Sequence, residues 1–269
     1  MPSQDPSTTF AGLAGDSLGE DDQRPPLVLL HGLTYDRRLW GPTLTELRTI
    51  DPGRRVLNLD LPGHGASPRR DTYVMEQLVP LIRGAVEDAG LRTPVLVGHS
   101  AGAVLATIYA SRCPTSGVIN VDQPLLTTAF AQLLRAHEAT LRGPGYAALW
   151  DMMVASMHTE LLAPDAQQLL RTICDPRQDL LVGYWEQVLT TPSDELTDNV
   201  IAGLAAVRAA GVPYHNVFGQ TPSAEYQSWL AELLPHAVTT VLPDSGHFPQ
   251  LAHPSRFARV LASTGTWPQ

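Results

Sequence analysis

Gly98-His99-Ser100-Ala101-Gly102 has the form GxSxG, and it stands between a short apolar run and a helical stretch that begins at Ala103. A serine hydroxyl is a poor nucleophile at neutral pH and needs an adjacent base. A strand before the motif and a helix after it put the serine on a sharp turn. The two glycines let strand and helix approach closely, so the hydroxyl stands clear above the sheet. Histidine suits the role of base because its pKa lies near the working pH. Of the nine histidines, His247 follows both an apolar run and Gly246, so it can hang over the same sheet edge as Ser100. The pair could carry out acyl transfer. The N–H of Ala101, next after the nucleophile, is the expected first donor to a developing oxyanion.

Short apolar runs at 27–30, 55–59, 94–97, 117–121, 214–218 and 238–242 alternate with longer helical patterns. Such runs suit strands buried on both faces, and the intervals are long enough for crossover helices. The expected fold class is α/β, a doubly wound, mostly parallel sheet. Residues 9–19 carry a faint hairpin pattern, and the first few residues are expected to fray. From 123 to about 199 no strand pattern appears, but helical patterns do, at 130–141, 146–157 and 166–173. The segment is too long for a structureless loop. We therefore expect a core domain of residues 1–122 and 200–269 interrupted by a helical lid, 123–199.

Four segments in order resemble the α/β-hydrolase family. Leu29-Leu30-His31-Gly32-Leu33 is similar to its strand and HG oxyanion loop, and Asp60-Leu61-Pro62-Gly63-His64-Gly65-Ala66-Ser67 to its D-x-P-G-x-G-x-S loop. The GxSxG segment is the third. Gly246-His247-Phe248 with Leu251-Ala252-His253-Pro254 resembles the late GH loop. The resemblance implies an α/β-hydrolase fold in which Ser100 is nucleophile and His247 its base. The Leu33 N–H would be the second oxyanion donor, and His31 and His99 would have supporting roles. The family's usual acid would fall near Gly219-Gln220-Thr221-Pro222, where proline stands in place of aspartate. Some members place the acid after the earlier strand. Asp122, in Asn120-Val121-Asp122-Gln123-Pro124, is then the expected acid, with Glu225 as runner-up. Asp244 lies too near His247 in sequence, and Asp60 reads as a loop anchor.

The resemblance implies a serine esterase or lactonase that cleaves a small-molecule ester or lactone through an acyl-enzyme. A thioesterase, a C–C bond hydrolase, a perhydrolase or a non-catalytic ligand-binding homologue are the alternatives. Serine at the elbow argues against haloalkane dehalogenases and epoxide hydrolases, which use aspartate there. Trp150, Met152, Met153, Met157, Tyr184 and Trp185 of the lid could line an apolar pocket or simply pack. No cofactor and no metal are expected, since HExxH, GxxxxGK[ST] and a GxGxxG at a strand–helix junction are all missing from the sequence.

Composition fits this reading. Of 269 residues, 43% are hydrophobic and 17% charged, as in a globular domain with a large core. The formal net charge of −9 argues against nucleic acid or an anionic membrane as partner. Two cysteines, Cys113 and Cys174, cannot make a disulfide framework. A cytoplasmic location follows as the default expectation, and the oligomeric state stays open.

Overall fold

The computed structural model describes residues 8–20 and 23–267. The frayed start expected from the sequence lies outside the described residues, except from Thr8 onward. Among the described residues, eight strands form one sheet: β1 (Thr8–Phe10), β2 (Leu13–Leu18), β3 (Leu27–Leu30), β4 (Val56–Leu59), β5 (Val95–His99), β6 (Gly117–Val121), β7 (Tyr214–Phe218) and β8 (Val238–Val241). The strand order is β1-β2-β4-β3-β5-β6-β7-β8. The first two strands form the faint N-terminal hairpin, which joins β4 antiparallel; all other neighbours pair parallel.

Helices α1 (Gly41–Ile50), α2 (Met75–Asp88) and α3 (Ala101–Ala110) follow the early strands. Between β6 and β7 come α4 (Thr128–Ala136), α5 (Glu138–Arg142), α6 (Tyr146–Ala155), α7 (Pro164–Ile173), α8 (Gln178–Thr190) and α9 (Ser193–Ala209). The chain ends with α10 (Ala224–Leu233), α11 (Pro249–Ala252) and α12 (Pro254–Ser263).

The apolar runs fold as strands because both faces of the sheet are covered. Leu27 and Leu29 face a core with Leu44 and Leu47 of α1 and Phe257 and Leu261 of α12. Val28 and Leu30 face the opposite core, built with α2, α3, α9 and α10. All four residues of β3 are fully buried, and each buried leucine is worth about 1.5–3 kcal/mol. The edge strand β8 differs: Val238 and Thr239 are exposed, as expected where one side has no partner strand.

The helical pattern at 130–141 is two helices, broken at His137. Helix α8 lies within the expected helical segment, although no separate pattern marked it, and α9 begins there and runs past its expected end. The boundary expected at 199/200 falls inside α9, an unbroken helix whose Leu204 and Val207 pack in the sheet's core. A separate cluster joins Leu162, Ala166, Leu170 and Ile173, in and around α7, to Tyr35, Phe248 and Leu251. The segment between β6 and β7 is thereby packed onto the loops that leave the sheet's C-terminal edge. Among the described residues, no helix is long and apolar enough to cross a membrane.

Candidate active site

Ser100 sits between β5 and α3 with φ 52° and ψ −121°, a left-handed conformation that costs a non-glycine residue roughly 1–3 kcal/mol. The neighbours show why the motif needs its glycines. A Cβ on Gly98 would lie 2.2 Å from the Gly102 carbonyl oxygen, and one on Gly102 would lie 2.3 Å from that of Leu30. The Ser100 N–H donates to Val121 O at 3.0 Å, which ties the turn to β6.

The loop after β3 closes over this turn. A Cβ on Gly32 would meet His99 Nδ1 at 2.7 Å and Ser100 Cβ at 3.4 Å. Among the described residues, neither the Leu33 N–H nor the Ala101 N–H has an acceptor within the protein. Ala101 opens α3, where a backbone N–H has no helical partner.

His247 is held at three points. Its Nδ1 donates to Asp122 Oδ2 at 2.7 Å. Its N–H donates to Met157 O at 2.9 Å, and its carbonyl accepts from His99 Nε2 at 2.8 Å. A carboxylate and a carbonyl can only accept, so the proton is on Nδ1 in His247 and on Nε2 in His99. The Nε2 lone pair of His247 is thus left free. The rings of His99 and His247 lie 4.7 Å apart, which brings His247 beside the Ser100 turn. Among the described residues, the Ser100 hydroxyl has no hydrogen-bond partner, and its bond to His247 is not made in this structure.

Asp122 leaves the end of β6 with φ 52°. Its N–H donates to Val217 O at 2.9 Å, and its Oδ1 accepts from Gly219 N–H at 2.8 Å. Asn120 brackets the turn, since its Nδ2 donates to Gln123 O at 2.8 Å and its Oδ1 accepts from Gln123 N–H at 3.2 Å. Glu225 is exposed in the first turn of α10 and Asp244 is exposed in its loop. Asp60 is fully buried, and it accepts from the N–H groups of Arg37 and Ala66 at 2.8 Å and pairs with the Arg37 guanidinium.

Three histidines near the site are buried. Burial, and then the nearby His247, push the His99 pKa well below the ordinary histidine value. Burial does the same for His64, and it lowers His31 against the opposing pull of Asp60. Among the described residues, no group of three or more His, Cys, Asp or Glu side chains is arranged to hold a metal ion.

Sequence reasoning did not reach Asn120, the Gly219 N–H or the Met157 carbonyl. The last two are backbone groups and leave no trace in residue type. Of the side chains singled out between β6 and β7, Trp150, Tyr184 and Trp185 are buried while Met152 is 48% exposed. The Tyr184 hydroxyl donates to Pro62 O at 2.9 Å.

The sequence profile of the alpha/beta hydrolase family matches residues 27–260. The chain belongs to this family. Over 93% of its length it is 27% identical to the sn-1-specific diacylglycerol lipase ABHD11 of Mus musculus, covering 84% of that protein. One further relative is matched over 100 residues only, 18% of its own length. Two solved structures share the fold. A thermophilic esterase from Thermogutta terrifontis superposes with TM-score 0.71 at 21% identity, covering 96% of this chain and 95% of the other. AqdC, described for recognition and ring-cleavage of the Pseudomonas quinolone signal, superposes with TM-score 0.77 at 17% identity, covering 94% and 96%.

Proposed function

We propose that the chain is a serine hydrolase that cleaves a carboxylic ester or lactone, with Ser100 as nucleophile, His247 as general base and Asp122 as the acid behind it. The observation that carries this reading is the 2.7 Å contact between His247 Nδ1 and Asp122 Oδ2, which fixes the tautomer a general base requires. Ser100 attacks the carbonyl carbon and its proton passes to His247 Nε2. The carbonyl oxygen takes the charge and accepts hydrogen bonds from the Leu33 and Ala101 N–H groups. The imidazolium, stabilised by Asp122, then protonates the leaving alcohol. Water, deprotonated by the same nitrogen, releases the acid. In free enzymes such nucleophile–base contacts are often long and tighten only with substrate, which suits the unbonded Ser100 hydroxyl.

Residues 123 to about 192 act as a lid over the site. This is supported by the bond from His247 N–H to Met157 O and by the packing of α7 against Tyr35 and Phe248. The diacylglycerol lipase relative also acts on an ester. Two unpaired thiols, Cys113 and Cys174, fit a reducing compartment such as the cytoplasm.

The test is a panel of p-nitrophenyl esters, thioesters and lactones, run with the wild type and Ser100→Ala, together with a fluorophosphonate label. Turnover of an oxygen ester or lactone that falls about 10⁴-fold or more in Ser100→Ala, with labelling lost, is the expected result. Turnover that survives the substitution would overturn the reading. It would favour chemistry in which His247 acts as base without an acyl-enzyme.

A further inference from the structure

Thr34 follows the oxyanion-loop residue Leu33, and every polar group it has is engaged. Its N–H donates to His64 Nε2 at 3.1 Å. Its carbonyl accepts from Asp175 N–H at 2.8 Å. Its hydroxyl lies 3.6 Å from Cys174 Sγ. Thr34 is also 1% exposed and has φ 71°, a region that a β-branched residue enters only under constraint.

Two of these three partners, Cys174 and Asp175, belong to the turn between α7 and α8. The third, His64, sits in the 60–67 loop, and the same insertion clamps that loop. Tyr184 of α8 donates to Pro62 O at 2.9 Å, and Arg177 Nη2 donates to Gly63 O at 2.7 Å. The Tyr184 ring also packs edge-on against His64 at 5.1 Å. His64 spends its Nδ1–H on Pro62 O at 3.1 Å, which leaves Nε2 as a pure acceptor aimed at Thr34. Beside the junction lies a cavity of about 210 Å³, lined in part by Thr34, Tyr35, His64 and Cys174. The loop therefore has room to move once its contacts are released.

The geometry points to Thr34 as a positioning residue through which the seated helical insertion aligns the Leu33 N–H toward the oxyanion. The inference rests on the acyl-transfer reading above. Holding a non-glycine residue at positive φ from three sides fixes the peptide plane beside it, and the Leu33 N–H lies one residue before that clamp. Lifting the insertion would withdraw the Asp175 and Cys174 contacts together, and Thr34 would relax toward an ordinary φ. The oxyanion donor would then be in place only while the lid is seated, which reserves full activity for an enclosed substrate.

Thr34→Gly is the decisive variant, because glycine adopts φ 71° without strain and has no hydroxyl. Loss of strain and gain of backbone freedom oppose each other, so the melting temperature should stay within a few degrees of wild type. For p-nitrophenyl butyrate, kcat should fall roughly ten- to hundredfold with KM within about twofold, and fluorophosphonate labelling of Ser100 should slow in parallel. Thr34→Ser, which keeps the hydroxyl, should recover most of the rate. A merely structural residue would instead lower melting temperature and expressed activity together and leave kcat per folded molecule unchanged. If Thr34→Gly proves unstable, His64→Gln and His64→Phe decide. The glutamine carbonyl can accept the Thr34 N–H, so it should retain more kcat than phenylalanine. Wild-type kcat in Thr34→Gly, or equal kcat in the two His64 variants, overturns the proposal. Either result leaves the hydrolase reading intact provided Ser100→Ala is inactive. An active Ser100→Ala overturns that reading and this inference with it.

Discussion

His247 Nδ1 and Asp122 Oδ2 are 2.7 Å apart although 125 positions separate them in the chain. The second carboxylate oxygen is occupied by the Gly219 N–H at 2.8 Å, so both oxygens serve as acceptors of fixed donors. Asparagine at position 122 would have to present its NH₂ to one of two N–H donors, either Gly219 or the imidazole. Asp122→Asn should therefore lower kcat by about 10³- to 10⁴-fold while the protein stays folded. Glu225→Gln, altering an exposed side chain on α10, should leave turnover within twofold. Near-normal turnover in Asp122→Asn would remove Asp122 from the mechanism.

The Gly219 contact also shows how much of the site was legible in the sequence. Four motifs pointed to Ser100, His247 and their loops, because each demands particular residue types: glycines where a Cβ would strike backbone, and a histidine after a strand. Proline at position 222 pointed away from the common acid position. Asp122 could be reached only through resemblance, since an aspartate after a strand can equally serve as a turn former. The contacts that the insertion makes to His247 and Thr34, through Met157 O, Asp175 N–H and Cys174 Sγ, depend on the packing of α6, α7 and α8. No local pattern encodes such meetings. Helix α9 escaped sequence reading because few large apolar residues mark its inner face: only Leu204 and Val207 are buried along it.

The elbow glycines carry a stability prediction. Alanine at Gly98 or Gly102 would place a methyl group 2.2–2.3 Å from backbone oxygen, and backbone on both sides is fixed by the sheet. Each substitution should destabilise by about 3 kcal/mol or more, read as a lowered urea midpoint. Alanine at Gly203, where a Cβ meets nothing within 4 Å in mid-helix, should stabilise by roughly 0.5–1 kcal/mol. Comparable midpoints for all three variants would contradict the close-approach account of the motif.

Acid should destabilise the fold through buried neutral histidines. His31, His64 and His99 have lowered pKa values, with burial as the largest cause, and His215 is lowered to about 4, also by burial. Unfolded histidine titrates near 6.5, so below that pH the unfolded chain binds protons that the folded chain refuses. Stability contributed by these groups is complete above about pH 6.5 and falls as pH drops toward each folded pKa. The slope is at most about 1.4 kcal/mol per pH unit for each such histidine. Denaturant titrations between pH 7 and 5 should show this loss. His215→Asn, which lies away from Ser100, should lower the slope by about one proton. A pH-independent midpoint over that range would refute the assignment of these rings as neutral.

The contact between the insertion and His247 can be probed at Gly246, whose φ of 53° and packing leave no space for a side chain. A Cβ there would lie 2.3 Å from Met157 O and 2.8 Å from His158 O, the first of which accepts the His247 N–H. Gly246→Ala should therefore push the 157–158 turn away and break that bond. It should leave the Asp122 contact and the sheet in place, because neither passes through this turn. The imidazole then loses one of its three anchors, and kcat should fall roughly ten- to hundredfold, as misplacing a reacting group by about 1 Å does. Hydrogen exchange should rise in residues 146–162 and stay unchanged in β5 and β6. Wild-type kcat in a variant with a loosened insertion would mean that His247 is held by Asp122 and His99 alone. The insertion would then shape substrate access without steadying the base.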